Sequence, residues 1–241
     1  DGEWSLKSLF VSGQQSKKKP YYRNTRFINS REWERTNDWR NKTNIMLQSA
    51  LRVSYTSPKV MHWITQLLIW LTRNADSLDT EIPYYTDVIN EIAKRPVRDF
   101  LDNKDYSLGV STPHVVLNYL DFLLWRRNRN VDFDFEFRNS VEHWYPRNPS
   151  EGTFARWEDG VDRFGNLCLI QRNINSRFSN MSPEAKKSTF KEMIEKGSLK
   201  LRIMSVLTQG ANASQQWKES VYAQHEKDML DILREETKII N

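Results

Sequence analysis

The sequence has a single cysteine, Cys168, among 241 residues. One thiol excludes an internal disulfide framework and a structural zinc site built on several cysteines. Because Cys168 lies within an apolar stretch, we expect it to be a small buried core residue. Glycine and proline are also scarce, at 8 residues each, while hydrophobic residues make up 38% of the chain. This composition indicates a folded, helix-rich protein rather than a disordered one.

Long hydrophobic runs are missing as well. The most apolar segment, residues 60–71, is too short to span a membrane and includes His62 and Gln66. We therefore expect a buried helix there and no membrane partner. The chain begins with Asp rather than Met, which fits a fragment of a longer protein, and it shows no signal-peptide pattern. A cytoplasmic location is the expectation that follows.

Charge is unevenly distributed along the chain, whose formal net charge is +5. Residues 1–60 carry 12 Lys or Arg against 5 Asp or Glu, so the basic excess lies near the N-terminus. Such a surface could neutralise nucleic-acid phosphates. A solvated tail followed by a surface helix accounts for the same charges, so charge alone leaves both interpretations open.

The pattern of apolar residues changes near residue 130. Residues 1–20 indicate a loosely held lead-in, and the periodicity that follows predicts helices at about 29–51, 57–73, 84–95 and 112–127, the third ended by Pro96. Residues 131–137 alternate apolar and acidic side chains, which is typical of a half-buried strand. Further strands are predicted at 138–143 and 166–171, and further helices at 182–196 and 214–236. We predict an α+β, predominantly helical protein, with a helical domain at 1–130 and a second domain at 131–241.

The residues with the most chemical content lie between positions 142 and 175. Glu142 and His143 are followed by Pro146, and Asn166 precedes Asn175 by nine residues. Carboxylate and amide oxygens suit a hard divalent cation, which keeps several of its waters. An imidazole can remove the proton from an attacking water, and the metal stabilises charge on a phosphate. The set therefore predicts metal-dependent hydrolysis of a phosphodiester.

This ordered series resembles the HNH nucleases, also called ββα-metal or His-Me finger nucleases. Residues 138–190 look most like the C-terminal nuclease domain of GmrSD-type, SspE-like restriction proteins that act on modified DNA. The resemblance implies a helical domain followed by a ββα-metal finger with surrounding helices. It also implies roles: His143 as the general base, Glu142 and Asn175 as ligands of Mg²⁺ (or Mn²⁺), and Asn166 as the residue that holds the finger in shape. Asn173 is a rival to Asn175 as the last ligand.

Several cations near this series are candidates for contacts with DNA. Lys187 resembles a lysine that GmrSD-type nucleases carry after this helix start, where it could contact the scissile phosphate. Its neighbour Lys186 and the cluster of Arg126, Arg127 and Arg129 could grip the nucleic-acid backbone. Exposed helix lysines and a basic helix end are ordinary features of protein surfaces, so both interpretations stay open.

The function implied by the resemblance is nicking of double-stranded DNA by the effector part of a bacterial defence system against phage. Related proteins join this nuclease to an N-terminal nucleotide-hydrolysing sensor domain, and neither its Asp-Gly-Gln-Gln-Arg-like signature nor a Walker loop occurs here. The sensor is therefore expected to be a partner outside this chain. Two alternatives remain open: a non-catalytic DNA-binding or assembly module on the same scaffold, and a nuclease that acts on RNA.

Overall fold

The computed structural model describes residues 7–12, 19–24, 39–74, 82–150, 156–208, 217 and 219–238. In chain order its elements are strands β1 (Lys7–Ser12) and β2 (Lys19–Asn24), helices α1 (Trp39–Ser54), α2 (His62–Arg73), α3 (Ile82–Asn103) and α4 (His114–Arg127), strands β3 (Ser140–His143) and β4 (Leu167–Ile170), and helices α5 (Arg172–Phe178), α6 (Pro183–Thr189), α7 (Lys191–Glu195), α8 (Leu199–Leu207) and α9 (Glu219–Thr237). Short 3₁₀ turns lie at Pro58–Val60, Gly109–Ser111 and Phe164–Asn166. The prediction of a predominantly helical α+β protein is confirmed.

The N-terminal segment contains a β-hairpin, in which β1 pairs antiparallel with β2 and Lys7 lies opposite Asn24. Residues 1–20 were expected to form a loosely held lead-in, and no strand was predicted there. The sequences of β1 and β2 contain three aromatic residues, Phe10, Tyr21 and Tyr22, and one β-branched residue, Val11, which are types that favour strands. The helix expected from residue 29 is observed as α1 from Trp39, and residues 29–38 lie outside the described residues.

Helix α3 continues through Pro96, so the predicted helix end there was wrong. Proline removes one backbone donor and should break or kink a helix interior. Here the residues beyond it, Val97 and Phe100, continue the buried face that Ile89 and Ala93 begin one turn apart. Burial of this continuous apolar face outweighs the loss of one hydrogen bond.

Two further expectations differ from the structure in informative ways. Residues 131–137 form no strand, although Phe133 and Phe135 are buried while Asp134 between them is exposed. The alternation is real, but it serves packing against the core rather than pairing with another strand. The helix expected at 182–196 is divided into α6 and α7 at Phe190, whose side chain is buried. Ser182 caps α6 by accepting a hydrogen bond from the Ala185 amide, as the Ser-Pro start predicts.

Two hydrophobic clusters fill the interior and meet at the β3–β4 hairpin. The larger cluster joins α1, α3 and α4 to Val141, Leu167 and Leu169. The smaller cluster contains Cys168 and Ile170 with side chains from α5, α7, α8 and α9, and Cys168 is fully buried as expected. The larger cluster contains residues on both sides of position 130, so the two-domain division stays a prediction. Among the described residues, no helix is long and apolar enough to cross a membrane.

Candidate active site

The β3–β4 hairpin places two predicted site residues on opposite faces. The strands are antiparallel, with Glu142 opposite Cys168 and His143 opposite Leu167. Directly opposed residues share a face, and successive residues alternate between faces. Since Leu167 belongs to the larger cluster and Cys168 to the smaller, His143 lies on the larger-cluster side and Glu142 on the smaller-cluster side.

His143 forms a close pair with a carboxylate that the sequence did not single out. Its Nε2 lies 2.7 Å from Oδ1 of Asp162, and its side chain is only 11% exposed. The second carboxylate oxygen, Oδ2, accepts a hydrogen bond of 2.9 Å from Arg147. Asp162 lies in a polar loop that also holds Glu158 and Asp159. No spacing rule separates it from these other acids, so sequence reasoning had no signal with which to find it.

Asp162 is positioned by a backbone hydrogen bond to Gly109, whose lack of a side chain leaves room for the Asp162 carboxylate. The Gly109 amide donates to the Asp162 carbonyl at 3.0 Å. Gly109 has a φ of 53°, and a Cβ built there would lie 2.5 Å from Asp162 Oδ1. Only glycine meets both requirements at this position. The turn at 109–111 therefore supports the carboxylate that contacts His143.

Glu142 is paired with a buried lysine. Lys186 Nζ donates to Glu142 Oε1 at 2.6 Å and to the carbonyls of His143 and Trp144 at 2.7 and 3.0 Å. Burial raises the pKa of the Glu142 carboxyl, an effect that Lys186 opposes. Burial likewise lowers the pKa of the Lys186 ammonium, and Glu142 opposes that shift. Lys186 has no exposed surface, so contact with DNA would require it to leave all three acceptors.

Asn175 lies on the same face as Glu142. Its Nδ2 donates a hydrogen bond to Ser140 Oγ. Ser140 precedes Glu142 by two residues in β3, so the two side chains share a face. This bond does not use the amide oxygen, which is the atom that would ligate a cation. Among the described residues, no group of three or more His, Cys, Asp or Glu could hold a metal ion. A site made by Glu142 and Asn175 would draw most of its ligands from water, which suits Mg²⁺, and Oε2 is the Glu142 oxygen left by Lys186.

Asn166 ties together the loops around the hairpin. Its Oδ1 accepts from the Tyr145 amide at 2.8 Å and from Trp217 Nε1 at 2.9 Å. Its Nδ2 donates to the carbonyls of Tyr145 and Val161 at 2.9 and 2.8 Å. The bond to Val161 fixes the residue next to Asp162. Asn166 therefore connects the end of β3 to the loop that delivers the carboxylate.

The remaining predicted cations lie in contacts within the chain or on the surface. Lys187 donates to the Thr208 carbonyl, just after α8. Arg126 and Arg127, at the end of α4, form ion pairs with Glu236 and Glu235 of α9. Arg129 is exposed beyond α4. These three arginines share one end of α4, and their contact with DNA stays a prediction.

Residues 94–232 match the family model described as GmrSD restriction endonucleases, C-terminal domain. The match spans 139 of the 241 residues, from within α3 to within α9, and includes every residue of the site. No curated protein and no solved structure matches the chain. Because more than half of its length is matched, the chain belongs to the family of GmrSD restriction endonuclease C-terminal domains.

Proposed function

We propose that this chain is a metal-dependent DNA endonuclease of the HNH type, which nicks one strand of double-stranded DNA with His143 as its general base. The observation that carries the proposal is the setting of His143: an imidazole at the end of β3, nearly buried and in contact with the Asp162 carboxylate. Membership of a restriction endonuclease family supports a nuclease role in restriction.

The arrangement around His143 supports a ββα-metal finger. Strands β3 and β4 are followed directly by α5, and the Asn175 contact with Ser140 packs α5 against β3. Asn166 closes the loop between the strands. One such unit holds one proposed general base, so a single chain would cut one strand at a time.

The proposed reaction is hydrolysis of a phosphodiester by water. His143 takes a proton from the water as its oxygen bonds to phosphorus, while the bond from phosphorus to the leaving sugar oxygen breaks. That oxygen then receives a proton from solvent. General base catalysis of this kind contributes roughly 10²–10⁴-fold. A divalent ion held by Glu142 and Asn175 would supply stabilisation of charge on the phosphate and on the leaving oxygen.

The proposed function also implies the partners of the chain. The substrate is double-stranded DNA, and Arg126, Arg127 and Arg129, which lie outside the β3–β4 hairpin, would contact the DNA backbone. A sensor domain that hydrolyses nucleotides would lie elsewhere and control the nuclease, in a bacterial cytoplasm exposed to phage DNA. The nuclease itself needs no nucleotide in this scheme, because water is the only co-reactant in the hydrolysis of a phosphodiester.

Conversion of supercoiled plasmid to nicked circles tests the proposal. Wild type should nick in Mg²⁺ and not in EDTA, and His143→Ala should lose at least 100-fold in rate because the general base is gone. His62→Ala is the matched control, since His62 is exposed on α2 and should leave nicking unchanged. Equal nicking by wild type and His143→Ala would rule out His143 as the base.

Competition experiments separate the proposal from its alternatives. Labelled double-stranded DNA and RNA of the same sequence should differ, with only the DNA cleaved. Cleavage of RNA alone would identify an RNA nuclease. Tight DNA binding without metal-dependent cleavage would indicate a binding or assembly module.

A further inference from the structure

Each oxygen of the Asp162 carboxylate contacts a different side chain, one of which is His143. Oδ1 lies 2.7 Å from His143 Nε2, and Oδ2 accepts from Arg147 at 2.9 Å. A carboxylate offers only acceptors to an imidazole, so a neutral His143 that bonds to it must carry its proton on Nε2. Nδ1 is then the nitrogen with the lone pair, and it is the nitrogen able to take a proton from water.

The position of Asp162 is fixed independently of His143. Its carbonyl accepts from the Gly109 amide, its neighbour Val161 is bonded by Asn166, and its carboxylate packs over the bare Cα of Gly109. These contacts come from two separate parts of the chain, Gly109 and Asn166. The carboxylate is thus a fixed reference against which the imidazole is oriented.

We propose that Asp162 is a positioning residue that selects the Nε2-protonated tautomer of His143 and orients its ring for proton removal by Nδ1. The inference deepens the proposed function and rests on it for its catalytic meaning. Proton removal depends on the orientation of the ring, because the bond to Asp162 at Nε2 determines the direction in which Nδ1 faces. Arg147 donates a hydrogen bond to the second oxygen of the Asp162 carboxylate.

The tautomer can be read directly by long-range ¹H–¹⁵N correlation of the imidazole nitrogens, with His143 assigned in wild type through bonds to its own backbone resonances. At a pH where His143 is neutral, wild type should show a protonated Nε2 and an unprotonated Nδ1. A protonated Nδ1 would overturn the proposal. Because this measurement uses wild type alone, it stands whether or not any variant folds and whether or not the protein cleaves DNA.

The catalytic consequence is tested with Asp162→Asn, which keeps the shape of the side chain and removes its charge. Under saturating protein, the single-turnover rate of plasmid nicking should fall by about 100-fold while the Kd for DNA stays within twofold. The matched control is Asp159→Asn, the same change at an exposed position of the same loop, which should keep the wild-type rate.

The outcomes separate the two proposals. Active wild type with an unchanged rate in Asp162→Asn would overturn the positioning role and leave the nuclease intact. A rate loss explained entirely by weaker DNA binding would also overturn it. Wild type that shows the Nε2 tautomer yet never cleaves DNA would overturn the proposed function, while the orientation of His143 by Asp162 would stand.

Discussion

Two buried lysines hold the two strands of the β3–β4 hairpin, and they do so with different partners. Lys186, on α6, bonds to the Glu142 carboxylate and to two carbonyls at the end of β3. Lys200, on α8, donates to the carbonyls of Phe164 and Leu167 at 2.9 and 2.6 Å, at the start of β4. Each lysine follows a serine N-cap, Ser182 or Ser198, which sets the start of its helix.

The difference between them lies in the counter-charge. Lys186 is paired with a buried carboxylate at 2.6 Å, whereas the hydrogen-bond acceptors of the Lys200 ammonium are carbonyl oxygens and the Met204 sulfur. Burial lowers the pKa of Lys200 to about 8, and the nearby acidic groups only oppose this. Dipoles satisfy the hydrogen-bonding needs of an ammonium but offset less of the cost of burying its charge. The contact of Lys186 with β3 therefore includes an ion pair. The contacts of Lys200 at the start of β4 are hydrogen bonds to neutral carbonyl groups.

The largest effect expected from this comparison is that of Lys186→Met. The change leaves Glu142 buried without its cation, so the free energy of unfolding should fall by about 3–5 kcal/mol. Urea denaturation at neutral pH measures this through the transition midpoint at constant m-value. Lys191→Met is the control, because Lys191 is a surface lysine whose loss should change stability by less than about 0.5 kcal/mol.

A double variant makes the test of charge pairing specific. Glu142→Gln together with Lys186→Met removes the orphaned charge as well as its partner, so it should be more stable than Lys186→Met alone. Simple addition of the two single-variant costs would mean that Lys186 acts through its carbonyl contacts only, and the contrast with Lys200 would disappear.

Lys200→Met should cost less at neutral pH, about 1–3 kcal/mol, because it leaves carbonyls without a donor but no carboxylate without a cation. The effect of Lys200→Met on the free energy of unfolding should also depend on pH. The pKa of Lys200 is about 8 in the folded chain, below its usual value of 10.5. Between these values the unfolded chain binds more protons than the folded one, so this group makes wild type more stable as pH rises.

Methionine cannot titrate, so the stability gap between wild type and Lys200→Met should widen by about 1.5 kcal/mol between pH 8 and 9.5. Denaturation series of both proteins across this range measure the gap, in which contributions of other groups cancel. A gap that stays constant with pH would show that burial does not lower the pKa of Lys200 into this range, and would remove the electrostatic part of the comparison.

Neither lysine contact could be read from the sequence, although much around them could. The Ser-Pro start of α6, the two strands and the buried Cys168 were predicted, since caps and apolar alternation are local signals. Lys186 looked like a surface residue or a DNA contact, because a lysine beside another lysine on a short helix gives no sign of burial. Its partner lies 44 residues away. Long-range polar pairing of this kind is set by packing, which local patterns do not record.

Asp162 illustrates the same limit at the site itself. The ordered series from Glu142 to Asn175 was found because its members have a characteristic spacing, whereas Asp162 is one of several acids in a polar loop. What distinguishes it is Gly109, 53 positions earlier in the chain, whose missing side chain makes room for the carboxylate. A glycine that supports a distant residue has no local signature.

The smallest effect is expected for the ion pair of Arg147 and Asp162, which is exposed to solvent, unlike the two buried lysines. The Arg147 side chain is 57% exposed, and exposed pairs contribute about 0.2–1 kcal/mol. Arg147→Gln should therefore change stability by less than about 1 kcal/mol, and by the same free energy it can slow nicking through Asp162 by no more than about fivefold. Single-turnover nicking and DNA affinity across a salt series measure both quantities. A much larger rate loss, with a salt dependence of DNA binding shallower by about one phosphate contact, would instead place Arg147 on the DNA backbone. The exposed cation would then bind substrate, while the buried lysines shape the hairpin.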